Sequence, residues 1–388
     1  MKPTIDHADV AVVGGGPVGA LAALGLTRAG RKVVLVETRA RRAPVHDARA
    51  LALSWASRQR LEEEGAWPAT LPATPIDVVH VSQQGACGRT VLSREDLGLP
   101  HLGLVADYAA LTAALNARLE EAGVTVLWES RVTAVKSLAR YAALEVESAG
   151  QRAALTCRLA VLAEGGALAE TLSGIRRSVH DYRQCALLAP VTFEAPQTGT
   201  AYERFSLEGP FALLPYGDGY MLVWTRSPEE AAALSGDADM LKVAIERAMG
   251  GRLGAVTHTG PCAVFPLVLK EVNRVVSGRV VLIGNAAQTM HPVAAQGLNL
   301  GLRDASGLIE AVAGSPDPGS PEVLSGYAAR RRLDSRAVVG FTHSLIQLFD
   351  GHDALSQWLR GTGMNLLDVV PPLRRAFASH LVFGVGQR

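Results

Sequence analysis

The feature that most constrains the fold is a glycine-rich turn between an apolar run and a helical segment near the start of the chain. Residues 9–15 read DVAVVGG, an apolar run typical of strands buried on both faces of a parallel sheet. Residues 17–29 predict a helix, because the segment is rich in small residues and ends in a cation followed by glycine. A second strand, KVVLVE, ends on Glu37. This order predicts a βαβ unit with a right-handed crossover.

The glycines of this turn have the spacing GxGxxG at Gly14, Gly16 and Gly19. The first permits a turn with unusual dihedral angles, the second lets backbone approach a pyrophosphate, and the third lets the helix touch the strand. The amino terminus of the helix then faces the phosphates. Glu37 can accept both hydroxyls of a ribose and disfavours a 2′-phosphate. The turn therefore predicts NAD or FAD rather than NADP; a glycine-rich turn without a ligand is the less favoured alternative.

The composition excludes several classes of protein. Lysine and arginine number 38 against 37 acidic residues, so nothing attracts the chain to nucleic acid. A length of 388 residues, 48% of them hydrophobic, predicts two domains, or one large domain with an inserted sheet. We see no leader peptide and no apolar run of the ~18 residues that a membrane span requires. The cysteines lack metal-ligand spacing and are expected to be free thiols in a reducing compartment, without a metal site: Cys87, Cys157, Cys185 and Cys262.

Periodicity places further elements. Helices are predicted at about 50–64 and 107–122, the second capped by Asp107, and a hairpin at 76–95. Strands with turn signals between 182 and 275 predict an antiparallel sheet.

The segment 280–304, VVLIGNAAQTMHPVAAQGLNLGLRD, carries polar residues that a core helix does not need. Asn285 ends a buried strand, and its short side chain can hydrogen-bond a ribitol or ribose hydroxyl. The helix that begins near Gln296 can offer unpaired N–H groups to a flavin carbonyl or a phosphate. The alternatives are that Asn285 caps a helix and that His291 is a buried core histidine; for His291 alone both interpretations stay open.

Three sets of residues together resemble a known family. They are the glycine fingerprint with Glu37, the stretch from Asp47 to Ser54 before a helix, and residues 284–292, GNAAQTMHP. With them the chain resembles the flavoprotein aromatic hydroxylases of ubiquinone biosynthesis over nearly its whole length, in particular the branch that acts on a polyprenylated methoxyphenol. The resemblance implies an α/β fold, in which a Rossmann-like FAD-binding domain carries an inserted antiparallel-sheet substrate domain and C-terminal helices.

The resemblance divides the chain and assigns site residues. The FAD-binding domain would comprise residues 1–75, 101–181 and 276–350, the substrate domain 76–100 and 182–275, and a helical tail 351–388. His291 and Pro292 would shape the front face of the flavin, without an acid or base role. The cofactor-binding candidates are Gly14, Gly15, Gly16, Gly19, Glu37, Arg49, Tyr108, Val132, Gly284, Asn285, Gln296, Gly297, Leu298 and Asn299.

Four positions depart from the family pattern. Asn285 and Glu164 stand where most relatives have aspartate, Ala295 stands where glycine is common, and Tyr108 replaces an arginine or glutamine. Ala295 leaves the backbone less free for a close approach. Tyr108 can donate a hydrogen bond but cannot neutralise a phosphate.

The chemistry implied by the resemblance is hydroxylation of a polyprenylated phenol by FAD, with NADH or NADPH as a transient reductant and O₂ as co-substrate, through a C4a-hydroperoxyflavin. The protein is then expected in the cytoplasm or at the periphery of the inner membrane. Its tail would pack on the FAD-binding domain or, less favoured, meet a membrane or a biosynthetic protein assembly. Three alternatives stay open: a hydroxylase of another ring position or phenol, a flavin reductase that does not use oxygen, and a non-catalytic FAD-stabilised partner.

Overall fold

The computed structural model describes residues 7–43, 49–84, 88–206, 209–290, 295–350 and 354–384, with backbone alone at 339, 341–350 and 354–360. The first part of the chain forms the predicted strand–helix–strand unit, a small three-stranded sheet, two strands of a larger sheet, and short helices between them. Its elements are β1 (His7–Val13), α1 (Pro17–Arg28), β2 (Val33–Val36), β3 (Ala50–Ser54), α2 (Trp55–Glu63), β4 (Ala73–Ile76), β5 (Val78–Gln83), β6 (Arg89–Ser93), α3 (Arg94–Leu97), β7 (Gly103–Asp107) and α4 (Tyr108–Glu121).

The rest of the chain adds a run of strands and then helices. The strands and helices up to residue 272 are β8 (Thr125–Leu127), β9 (Ser130–Ser137), β10 (Ala142–Ser148), β11 (Gln151–Leu162), β12 (Arg177–Phe193), β13 (Thr200–Ser206), β14 (Gly209–Tyr216), β15 (Gly219–Arg226), α5 (Pro228–Gly236), α6 (Ala238–Met249), β16 (Val256–Thr259) and β17 (Ala263–Val272). They are followed by β18 (Val276–Ser277), β19 (Val280–Leu282), β20 (Gln288–Thr289), α7 (Gln296–Ala313), α8 (Pro321–Asp350), α9 (Ala354–Val369) and α10 (Pro371–Phe383).

The first sheet has a parallel centre in the order β19-β11-β1-β2-β8, extended by β18 and by the hairpin of β9 and β10. Its central strands carry fully buried valine, alanine and leucine at successive positions, so both faces are covered, and residues of α1 and α7 belong to the same hydrophobic core. The predicted βαβ unit is therefore confirmed, and it sits at the centre of the main hydrophobic core.

The second sheet runs β20-β17-β12-β15-β14-β13-β5-β6, with β16 beside β12. Its neighbours are antiparallel, as predicted, except that β13 pairs with β5 in parallel. The two parallel strands come from distant parts of the chain, so no hairpin turn fixes their relative direction. Helices α5 and α6 cover one face of this sheet and form a separate core with it.

Two local predictions need correction. Residues Ala50–Ser54 form a strand rather than the start of a helix, because they pair with β7 in a three-stranded sheet, β3-β7-β4. Asp107 stands at the amino end of α4 but makes no side-chain capping bond. Its carboxylate instead accepts a hydrogen bond of 2.5 Å from the hydroxyl of Tyr216, which ties the hairpin of β14 and β15 to this small sheet.

The described residues hold three of the four cysteines, Cys157, Cys185 and Cys262, all as free thiols, and Cys87 lies outside them. Within the same residues, no group of three acidic, histidine or cysteine side chains has the arrangement of a metal site. No helix in this part of the chain is both long and apolar enough to cross a bilayer.

A buried polar network holds α7, α8 and the loop after β19 together. Asp304 forms an ion pair of 2.8 Å with Arg331, and its carboxylate accepts the N–H of Gly284 at 3.1 Å. Gln288 accepts hydrogen bonds from Arg331 and from Ser335. The side chains of Asp304 and Arg331 are 1% and 8% exposed, so each depends on the other for compensation.

Replacing Arg331 with alanine should lower the free energy of unfolding by about 3–5 kcal/mol, because it leaves a buried carboxylate without its cation. Thermal unfolding followed by circular dichroism measures the effect. The neighbouring Arg332 is exposed, and Arg332→Ala should change the unfolding midpoint little. Equal midpoints for both variants would contradict the structural role of the ion pair.

Candidate active site

Three loops leave the carboxyl edge of the parallel sheet side by side. Val13 pairs with Leu162, and Leu162 pairs with Leu282, so the residues that follow each strand emerge at neighbouring points. The backbone ties them further: the N–H of Ala163 donates to Val13 at 2.8 Å, and that of Ile283 donates to Leu162 at 3.0 Å. The glycine turn and the segment near Asn285, about 270 residues apart in sequence, thus meet at one place.

The glycine turn has the shape of a phosphate cradle. Gly14 has a φ of +101°, and a Cβ on Gly19 would lie 2.0 Å from the carbonyl oxygen of Gly14. Neither position accepts a side chain, so α1 lies directly against the turn. At Gly16, by contrast, the nearest atom to an added Cβ is the Tyr108 hydroxyl at 3.7 Å, which leaves open space beside the helix amino terminus. The first turn of α1 carries no acidic side chain, so its N–H groups and helix dipole suit an anion from outside the chain.

Glu37 is buried beside this cradle. Its carboxylate accepts the N–H of Gly15 at 2.6 Å and the N–H of Arg39 at 2.8 Å, and the Arg39 guanidinium lies 3.1 Å away. Burial alone would raise the pKa of Glu37, but the bonds from Arg39 and Gly15 outweigh it and hold the pKa below its usual value. The carboxylate is therefore ionised at neutral pH and can accept hydrogen bonds from ribose hydroxyls.

Arg39, which was not among the residues predicted from the sequence, is a further candidate of this site. Besides binding Glu37, it donates to the carbonyl oxygen of Gly15 at 3.0 Å, so it fixes both the acid and the turn. The sequence feature that could have indicated this residue is a cation two residues after the carboxylate at the end of the second strand.

Arg49 and Tyr108 lie together on the open side of the cradle. The Arg49 guanidinium stacks 5.0 Å from the centre of the Tyr108 ring, and the Tyr108 N–H donates to the carbonyl of Arg49 at 3.0 Å. The ring hydroxyl faces Gly16. The pair therefore offers a cation and a hydroxyl group next to the predicted phosphate position at the amino end of α1. The charge of Arg49 compensates for the charge that a tyrosine at position 108 lacks.

The later segment contacts the cradle directly. Added Cβ atoms on Gly284 and Gly301 would lie 3.1 Å and 2.7 Å from the side chain of Val18, so the loop after β19 and helix α7 both pack on the start of α1. Asn285 is exposed at this junction. Its side chain makes no hydrogen bond to the described residues, which leaves the amide available to a ligand.

Other candidates take different positions. Val132 lies in the main core, 6% exposed, so only its backbone could contact a cofactor. The Asn299 amide accepts the N–H of Ser54 and donates to the carbonyls of Ala52 and Ala295, so its side chain clamps β3 to α7. Gln296 donates to the carbonyl of Leu381 in α10.

Of the remaining residues singled out from the sequence, two lie in the first turn of α7, and three lie outside the residues that the structure describes. Gly297 is exposed and Leu298 half-buried at the first turn of α7. His291, Pro292 and Asp47 fall outside the described residues.

Glu164 shapes its own loop. Its carboxylate accepts the N–H groups of Gly166 and Ala167, each at 2.8 Å. An added Cβ on Gly14 would lie 2.9 Å from the Glu164 N atom, so this loop packs on the glycine turn. The longer carboxylate therefore supports the loop rather than pointing towards the open cradle.

An open cleft of about 870 Å³ lies elsewhere, between β17, β18 and α8, and arginines dominate its charged lining. None of the candidate residues named above borders it. The convergence of motifs, rather than the size of this cleft, therefore defines the candidate site.

Ala295 is strained at the start of α7. It has φ 50° and ψ 33°, a left-handed conformation that costs an L-residue with a Cβ about 1–2 kcal/mol. Its carbonyl is held there by the amide of Asn299 at 2.8 Å. This alanine occupies the position at which the resemblance favoured glycine.

Comparisons with known proteins identify the family to which the chain is similar. Residues 7–342 match the protein family described as FAD binding domain. Ubiquinone hydroxylase UbiL of Rhodospirillum rubrum is 33% identical over 386 residues, which cover 96% of this chain and 89% of that protein. The 3-demethoxyubiquinol 3-hydroxylase of Escherichia coli is 32% identical over 343 residues, 84% of this chain and 86% of the relative.

Solved structures share the fold. The p-nitrophenol 4-monooxygenase PnpA from Pseudomonas putida DLL-E4 superposes with a TM-score of 0.81 over 98% of this chain and all of that chain, at 17% identity. The OxyS anhydrotetracycline hydroxylase from Streptomyces rimosus gives a TM-score of 0.72 over 97% of this chain and 76% of its own, at 24% identity. At these identities the likeness concerns the architecture alone.

Replacing Glu37 with alanine should weaken FAD binding at least about tenfold, because charge-assisted hydrogen bonds contribute roughly 1.5–3 kcal/mol each. The fluorescence of flavin released on dilution measures the dissociation constant. Glu37→Gln keeps an acceptor for the Gly15 N–H and separates loss of charge from loss of loop support. Glu121→Ala, at an exposed position in α4, should retain flavin like the wild type; unchanged affinity in both Glu37 variants would reject the assignment.

Replacing Ala295 with glycine should raise the free energy of unfolding by about 0.5–1 kcal/mol, since glycine adopts the left-handed conformation without strain but is more flexible when unfolded. Ala305→Gly, in the buried interior of the same helix, should lower it by about 1 kcal/mol or more. Urea denaturation compares the two variants. Shifts of the same sign would show that the strain at Ala295 is not significant.

Proposed function

Since this chain belongs to the family of FAD-dependent aromatic hydroxylases that includes the ubiquinone hydroxylases, we propose that it hydroxylates a polyprenylated methoxyphenol, with NADH or NADPH and O₂. The observation that carries the proposal is the meeting of the glycine turn with the segment after β19, where GNAAQT carries the resemblance to the methoxyphenol branch. A reductase or a phenol hydroxylase of another specificity would share the cradle, but not necessarily this segment.

The residues of the chain bind and orient the cofactor in this proposal. The N–H groups at the start of α1 hold the pyrophosphate, Glu37 holds the adenosine ribose, and Arg49 with Tyr108 faces the phosphates. Asn285 holds the ribityl side, and Gly297 with Leu298 lies at the flavin ring. When bound, FAD supplies the reducing equivalents and the activated oxygen that the protein residues lack.

In this proposal the second sheet and helix α10 exclude water from the flavin site. The apolar residues Ala201 and Met221 pack on Ala50, Ile76 and Val105, so this sheet closes over the small sheet that α7 clamps. Helix α10 buries Ala378 and Val382 against Leu92 and Leu102. Of these two partners, Leu102 lies in the expected FAD-binding domain and Leu92 in the expected substrate domain, so the packing of α10 supports a tail that is part of the folded protein.

A polyprenyl tail requires an apolar exit. Leu366, Val369 and Leu373, at the end of α9 and the start of α10, are 52%, 76% and 46% exposed. We assign the emerging tail, or the membrane or partner protein that presents it, to this side of the molecule.

Product analysis tests the proposal. Purified protein with FAD, NADH and labelled O₂ should convert a methoxyphenol with one prenyl unit into a product that carries one labelled oxygen atom, identified by mass spectrometry. A phenol without the methoxy and prenyl groups serves as the matched control and should stimulate NADH oxidation less. Flavin reduction without incorporation of oxygen would favour the reductase, and efficient hydroxylation of the control phenol alone would move the substrate to another class.

A further inference from the structure

The second sheet has one face turned away from its helices. On β13, Tyr202 packs in the core with α5 and α6, and Arg204 donates to the carbonyl of Met249 on the same side. Side chains alternate along a strand, so Ala201, Glu203 and Phe205 point to the opposite face. Ala201 contacts the small sheet there, which confirms the direction.

Glu203 is a charged residue in a row of otherwise uncharged side chains on this face, which ends in Thr90 on β6. The registers of the sheet place it beside Val81 and Ala212, and Ala212 beside Val223. The row continues to Leu188 on β12. The neighbouring rows on the same face are those of Ala201 and Phe205. Their other members carry no charge: Val79, Leu214, Met221, Gln83, Pro210 and Thr225.

The Glu203 carboxylate has no hydrogen bond or ion pair with the described residues, although carboxylates in such places are ordinarily paired. The side chain is only partly exposed, as are Val81, Leu188 and Val223 in its row. Enclosure by apolar neighbours raises the pKa of Glu203 to about 8. The Glu203 carboxylate therefore lies half-buried among apolar side chains, on the face of the second sheet that packs against the small sheet.

This face of the second sheet is linked to the candidate site through β3. The Ala201 row of this face packs on Ala50 of β3, and the far end of β3 is clamped to α7 by Asn299 at 2.9 Å from the N atom of Ser54. Helix α7 begins three residues earlier, and its first turn carries Gly297 and Leu298, the proposed flavin contacts. The Glu203 row lies about 7 Å from the Ala201 row along β13, so the carboxylate is on the same face of the second sheet as the contacts with β3.

We propose that Glu203 binds the phenolic hydroxyl of the substrate and accepts its proton, an inference that rests on the proposed function. The O–H bond breaks, its electron pair stays on the phenol oxygen, and the proton moves to the carboxylate. The electron-rich ring would then form its new C–O bond with the activated oxygen that the bound cofactor supplies, while the O–O bond breaks and the second oxygen atom leaves as water. Loss of the ring proton to solvent restores a phenolate, which takes the proton back from Glu203, so the carboxylate is regenerated.

The environment suits this task. An ordinary glutamate has a pKa near ~4.3 and a phenol near ~10, a mismatch that makes proton transfer very unfavourable. A pKa of about 8 brings the acid within about two pKa units of the phenol. Because the carboxylate form does the work, activity should rise as the pH increases through about 8.

Substrate-binding spectra test the proposal separately from turnover. Adding a methoxyphenol with one prenyl unit to the FAD-loaded protein should produce the ultraviolet difference band of a phenolate, which grows as the pH rises through about 8. Glu203→Gln should abolish that band and lower kcat about 100-fold, while the KM for the phenol changes less than about threefold. Glu203→Asp, which retains a carboxylate, should recover part of both signals.

Two controls separate the outcomes. The methyl ether of the probe has no proton to lose and should bind the wild type and Glu203→Gln equally, and Glu229→Gln, at an exposed position in α5, should behave like the wild type. A phenolate band and a pH profile that persist in Glu203→Gln would overturn the proposal even if hydroxylated product forms. A Glu203-dependent band without hydroxylation by the wild type would instead preserve this inference and reject the proposed function.

Discussion

The site depends on a contact that is too close for any side chain. Helix α1 approaches the end of β1 so closely that a Cβ on Gly19 would overlap the carbonyl of Gly14, and Gly14 itself is left-handed. This contact aims the helix amino terminus at the carboxyl edge of the sheet, where its partial positive charge suits a phosphate. Val18, one residue earlier, then receives Gly284 and Gly301, so the same contact also docks the later half of the site.

Two carboxylates show how the surroundings divide the tasks. Glu37 is buried but receives hydrogen bonds from Arg39 and Gly15, and its pKa is lowered. Glu203 is enclosed by apolar residues without such partners, and its pKa is raised to about 8. The same functional group is thus an ionised acceptor in one place and, as we propose, a proton acceptor in the other. Identical chemistry acquires different roles because donors surround one group and hydrocarbon the other.

Much of the fold was predictable where local signals are strong. The buried strands, the glycine turn and the helix behind it follow from periodicity and from glycine's conformational freedom. Ala50–Ser54 was predicted wrongly because an alternating Ala-Leu run favours a helix by propensity, whereas pairing with β7 decides the strand. Asp107 looks like a helix cap, yet Tyr216, from a distant hairpin, takes its carboxylate. The side chain of Asn299 is likewise taken by backbone groups of β3.

The sequence by itself determined the family and the cofactor class, and it predicted the residues of the phosphate cradle, because glycine spacing and strand-end acids act over a few neighbouring residues. Only the tertiary structure decided which candidate side chains stay available to a ligand. The Asn299 amide is occupied by backbone groups from a distant strand, and the Glu164 carboxylate is occupied by N–H groups of its own loop. The tertiary structure also revealed Glu203, because the face on which a strand residue lies and the groups around it depend on strands from distant parts of the chain. A lone carboxylate in the sequence does not reveal which side chains will surround it.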